Sequence, residues 1–149
     1  MITTLLLLSA TSQAAEPVPT ATQQTLYDAL VKRHNPPTCA TLDTLSTDVV
    51  NDLAWLVDHA TQPAWVGLRA AQCLLVAHPF ESQSIYQGWL STDGHRGLAI
   101  LLTQKADQLP LEVATTLTRT ALAGPERLEV QRRLADSDTP ELRALATAE

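Results

Sequence analysis

The chain has 149 residues with a formal net charge of −6 and a hydrophobic content of 45%. That length suits one domain with a real core, and that composition excludes a disordered chain. The acidic balance argues against nucleic acid, since phosphate binding needs a basic stripe and the pairs Lys32-Arg33 and Arg132-Arg133 stand isolated.

The first residues read as an export signal. Ile2 to Leu8 is a short apolar run, and Ser12-Gln13-Ala14 places small residues where a signal peptidase reads them. Residues 1–15 are therefore expected to be removed, giving an exported protein of the periplasm or the medium. The run is too short to span a bilayer. Two cysteines, Cys39 and Cys73, suggest a disulfide in an exported chain. A buried Cys73 thiol is the alternative, because its neighbours are apolar.

Residues 16–40 read as an N-terminal linker and capping helix. Glu16-Pro17-Val18-Pro19 is extended, a helix covers about 22–34, and Asn35-Pro36-Pro37 stops it. The next helix follows Ser46, Thr47 or Asp48 as cap and carries Val49, Val50, Leu53, Leu56, Val57 and Ala60 on one stripe. Pro63 opens a helix running to about His78 that is apolar nearly all round, so burial on several sides is expected. Further helices are expected over about 81–90, 95–108, 111–123 and 126–135, and from Pro140 onward, with Gly124 as a C-cap. Breaks fall about every 15 residues from Pro63, at Pro79, Asp93-Gly94, Pro110, Pro125 and Pro140. Proline is tolerated in a first helical turn and breaks an interior. One helix plus one tight turn, stacked repeatedly, explains the spacing.

Two segments resemble HEAT-like repeats. One runs from Leu56 to Ala71 and the other from Leu134 to Ala146. Each reads as a helix ending near Asp, a turn with Pro, then Leu-Arg-Ala in the next helix. The resemblance implies an all-α fold for residues 41–149, a short right-handed α-solenoid of antiparallel helix pairs. An irregular helical bundle is the alternative. It also implies a ladder between neighbouring repeats, with Asp58 paired to Arg69 and Asp138 to Arg143. The middle breaks lack the Pro-x-x-Arg turn. The two matching turns also lie an odd number of helices apart, which a strict two-helix repeat forbids.

Chemistry is sparse. The four histidines, His34, His59, His78 and His95, include no pair at the helical spacing of a zinc site. No nucleophile elbow, phosphate-cradling glycine loop or Cys-x-x-Cys is present, so no enzyme, cofactor or metal is expected. Trp55 stands out. Its helical angle places it on the polar face among Asn51, Asp52, Asp58 and His59, where something should cover it. Either the segment 16–40 does so, or those five residues form a partner-binding patch, since Trp is enriched at binding hot spots. The functional expectation is a non-catalytic protein-binding or scaffold module of the cell envelope, presenting an acidic helical-repeat surface to an unknown protein partner. The alternatives are a structural accessory subunit of an envelope complex and a small metal-binding or enzymatic helical protein.

Overall fold

The computed structural model describes residues 15–148 of the chain. The expected signal segment lies outside the described residues except for Ala15. The described residues form nine α-helices and no strand: α1 (Ala21–Leu30), α2 (Cys39–Asp43), α3 (Val49–His59), α4 (Ala64–Ala77), α5 (Gln83–Leu90), α6 (Arg96–Lys105), α7 (Leu111–Ala123), α8 (Arg127–Leu134) and α9 (Pro140–Thr147), with a 3-10 turn over Ala106–Gln108 after α6. No helix among them is long and apolar enough to cross a membrane.

The start of α1 is a capping box. The Thr20 hydroxyl accepts from the Gln23 amide, and the Gln23 side chain accepts from the Thr20 amide. The N-cap of α3 is Asp48, but its carboxylate makes no capping bond and accepts from the Asn51 side-chain NH2 instead. Ser46 accepts from the Asp48 amide and donates to Asp52, which holds the turn from outside the helix. The expected C-cap Gly124 is in extended backbone, so a left-handed cap is not why glycine stands there.

From α3 onward, packing joins helices adjacent in sequence and helices two apart. α3 lies along α4, α4 along α6, and α6 along α8. α5 lies along α7, and α7 along α9. The helix pair that opens at Pro63 and the one that opens at Pro140 therefore end in different rows: α4 neighbours α6, whereas α9 neighbours α7. This is the odd spacing visible in the sequence, and it persists because every intervening helix is present. The core runs through all the helices, from Leu26 and Leu30 on α1 through Leu53, Leu56, Leu74 and Leu102 to Leu117, Leu134 and Leu142. Each such leucine contributes about 1.5–3 kcal/mol by leaving water. α1 is thus part of the body, since it packs on both α3 and α4.

α4 departs from the expectation of burial all round. Val66, Ala70, Ala71, Leu74 and Leu75 are buried, but Leu68 and Val76 are exposed along one edge. Cys39 at the start of α2 is bonded to Cys73 on α4, with Cα atoms 5.4 Å apart. This bridge seats Leu42 of α2 in the core.

The expected Asp–Arg ladder is not formed. The Arg69 guanidinium donates instead to the carbonyls of Leu30 and Lys32, at 2.7 and 2.6 Å. Those are unsatisfied carbonyls at the C-terminal end of α1, where a cation is favoured. Asp58 accepts from the Trp89 indole at 2.7 Å. Arg143 donates to the Ser137 carbonyl rather than to Asp138. The acid that joins the turn after α6 to the turn after α8 is Asp107, which accepts from the Ser137 hydroxyl at 2.6 Å and from the Thr139 amide at 3.2 Å. Its hydrogen bonds from Ser137 and Thr139 hold its carboxyl below the ordinary range. A lowered folded value means stability present above the ordinary carboxylate range and lost as pH falls through the folded value. Asp107→Asn should therefore melt below wild type at neutral pH, and the gap should close in acid. Thermal melts of both proteins from neutral pH to about pH 3 check this.

Thr118 on α7 is fully buried, and its hydroxyl has no hydrogen-bond partner. Thr118→Val replaces that hydroxyl by a methyl of similar shape and should stabilise the fold by about 1 kcal/mol in denaturant titration.

Candidate functional site

The residues around Trp55 frame a cleft of about 470 Å³. One wall is the extended segment before α1, where Pro17 and Pro19 fix the backbone away from helix. The other wall is the last turn of α3 with Trp55, Asp58 and His59, and the turn that follows contributes Ala60, Thr61 and Gln62. Gln24 and Tyr27 of α1 complete the lining.

Two hydrogen bonds fix α1 and α3 around the cleft. The Tyr27 hydroxyl donates to the Gln62 carbonyl at 2.9 Å, tying α1 to the turn after α3. The Trp89 indole holds Asp58 in place from α5. Trp89 is itself buried and packs edge-on against Tyr86, whose hydroxyl donates to the Ala71 carbonyl at 2.6 Å. Burial pushes the Tyr86 phenol far above its ordinary value, so it stays a neutral donor. Trp55 and His59 sit one helical turn apart with rings stacked at 4.5 Å. His59 Nδ1 lies 2.8 Å from the Trp55 carbonyl. A carbonyl can only accept, so Nδ1 carries a proton and donates to it.

Of the five residues singled out in the sequence, the structure brings Trp55, Asp58 and His59 together on the cleft. Trp55 is half-buried rather than exposed, with its lower side against the core and the proline segment beside it. Asn51 and Asp52 belong to other networks. Asn51 donates to Asp48, and Asp52 accepts from Gln23 and Ser46, which fastens α3 to α1. Glu16, Gln24, Tyr27 and Gln62 join the cleft without having stood out in the sequence. The Glu-Pro-Val-Pro run ahead of a capped helix is the available signal for the first wall. Nothing local marks Gln62.

The charge of the cleft is one-sided. Its lining includes the carboxylates of Glu16 and Asp58 and contains no Lys or Arg. Among the described residues, no three His, Cys, Asp or Glu side chains are grouped to hold a metal ion. Basic groups gather elsewhere. Arg132 and Arg133 converge on Glu129, with Arg96 3.8 Å away, and the hydrogen bonds from Arg132 and Arg133 hold the Glu129 carboxyl below its ordinary value.

No protein-family model, curated protein or solved structure matches this chain.

Proposed function

We propose that the protein is an exported, non-catalytic binding module that engages a partner protein through the Trp55 cleft. The carrying observation is the cleft itself, an aromatic-walled concavity of about 470 Å³ with acid on its lining, assembled from three separate elements. Its size lies within the range that ligand-binding concavities occupy. A half-buried Trp in a pocket is the residue type that most often anchors an interface. The net charge of −6 favours a basic or neutral partner.

The scaffold under this reading is a short HEAT-like α-solenoid. Support comes from the rows in which α4, α6 and α8 are neighbours and α5, α7 and α9 are neighbours, as stacked helix pairs require. Export to the periplasm or the medium is supported by the apolar run Ile2 to Leu8 and by the Cys39–Cys73 bridge, which an oxidising compartment preserves.

The test is affinity capture from the native cell envelope with wild type, Trp55→Ala and Leu128→Ala. Leu128 is exposed on α8 and serves as control. A partner held by wild type and Leu128→Ala should be lost, by about 10-fold or more, with Trp55→Ala, since hot-spot truncations cost about 2 kcal/mol or more. Circular dichroism must show that each variant is folded. Retention of the partner by folded Trp55→Ala would remove this reading.

A further inference from the structure

We infer that the cleft receives the guanidinium of an arginine presented by an exposed segment of the partner protein. This rests on the protein-binding reading and adds the chemistry of the group that enters.

Charge makes the first selection. Glu16 and Asp58 line the cleft from different elements, and no Lys or Arg is among the lining residues. Removal of residues 1–15 leaves the new α-ammonium on Glu16, so Asp58 is the carboxylate left to pair, and a neutral apolar guest would desolvate it without pairing it. A cation meets that requirement.

The lining then selects among cations. Tyr27 supplies aromatic surface, which attracts a cation and accepts a flat one by stacking, whereas the Trp55 ring is already covered by the His59 ring and the core. The side-chain carbonyl of Gln24, whose NH2 donates to Asp28, offers a neutral acceptor on the same lining. Several acceptors spread around an aromatic wall match a planar, weakly hydrated fork with five N–H donors better than a compact ammonium. Asp58 is already immobilised by the Trp89 indole, so little ordering is needed on the protein side when the guest arrives. The volume of about 470 Å³ leaves space for the arginine and the backbone flanking it.

The probe is the blocked tripeptide acetyl-Gly-Arg-Gly-amide, followed by NMR at the Trp55 indole and the His59 ring. Its comparator carries citrulline, which keeps the planar shape and loses the charge. The arginine peptide should shift both signals with a Kd on the order of 1 mM, and the citrulline peptide should bind about 10-fold more weakly. The double variant Glu16→Gln/Asp58→Asn should weaken the arginine peptide by about 10-fold as well. The Asp58→Asn change keeps an oxygen acceptor for the Trp89 indole, and unmoved backbone amide signals in α7, remote from the cleft, certify the fold.

Equal binding of the citrulline peptide would overturn the inference. So would undiminished arginine binding by the double variant, or no shift at Trp55 with about 10 mM peptide. These outcomes separate from the broader reading. A partner still captured through Trp55 while the arginine peptide fails leaves the binding module standing and removes only the guanidinium.

Discussion

Replacing Cys39 and Cys73 together by alanine should lower the stability of the fold by about 4 kcal/mol. The two residues are 34 apart in sequence, and cross-linking them removes loop-closure entropy from the unfolded chain. The effect should also be structural. α2 is a five-residue helix that packs mainly on α4, and a helix that short has no stability of its own. Without the bridge, Leu42 has only its own burial to hold it in the core. Urea titration should show a lower midpoint for the double alanine variant, and hydrogen exchange should show faster opening across 39–43 than across α7. A loss under about 1 kcal/mol would mean that α2 is held by packing alone.

Gly124→Ala should cost about 3 kcal/mol, at the upper end of overpacking effects. A Cβ at this position would overlap the carbonyl oxygen of Leu90, the last residue of α5, with the Ala121 carbonyl oxygen 3.4 Å away. Both obstacles are backbone, so no side chain can swing aside. α5 and α7 would have to separate, and both Trp89 and Leu90 are buried beside that contact. Gly88 is the internal control. It lies within α5 with nothing near its Cβ position, so Gly88→Ala should stabilise by about 1 kcal/mol through helix propensity. Equal effects at the two positions would contradict the close approach of α5 and α7.

These two glycines illustrate what the sequence could and could not disclose. Gly124 reads as a helix end, and α7 does stop there. Its reason for being glycine is a helix more than thirty residues earlier, which no local pattern reports. The same division holds along the chain. Pro63, Pro110 and Pro140 mark helix starts because proline's constraint is local. The stripe through Leu53 and Leu56 marks the buried face of α3 because helical geometry is local. α2 leaves no such mark, since five residues are too few for a period to register. Arg69 sits where a repeat motif would pair it with Asp58, yet the carbonyls of Leu30 and Lys32 reach it first. A long side chain chooses its partner in three dimensions.

The cleft follows the same logic. Trp55 is visible in the sequence as an aromatic residue on a polar face, with Asp58 and His59 beside it by helical spacing alone. Its other wall is not visible as such. The Glu16–Pro19 segment reads as a linker, and only the packing of α1 on α3 lays it against the end of that helix. Asp52 and Asn51 look equivalent to Asp58 on the helical wheel. They differ because Gln23 and Ser46 capture the one and Asp48 the other.

Site-specific photo-crosslinking in the native cell envelope tests partner binding at the cleft most directly. One photoreactive residue would replace Thr61, exposed on the cleft rim, and another Leu128, exposed on α8. One discrete protein adduct is expected from position 61 and none from position 128. An adduct from position 128 alone would contradict a partner seated at Trp55.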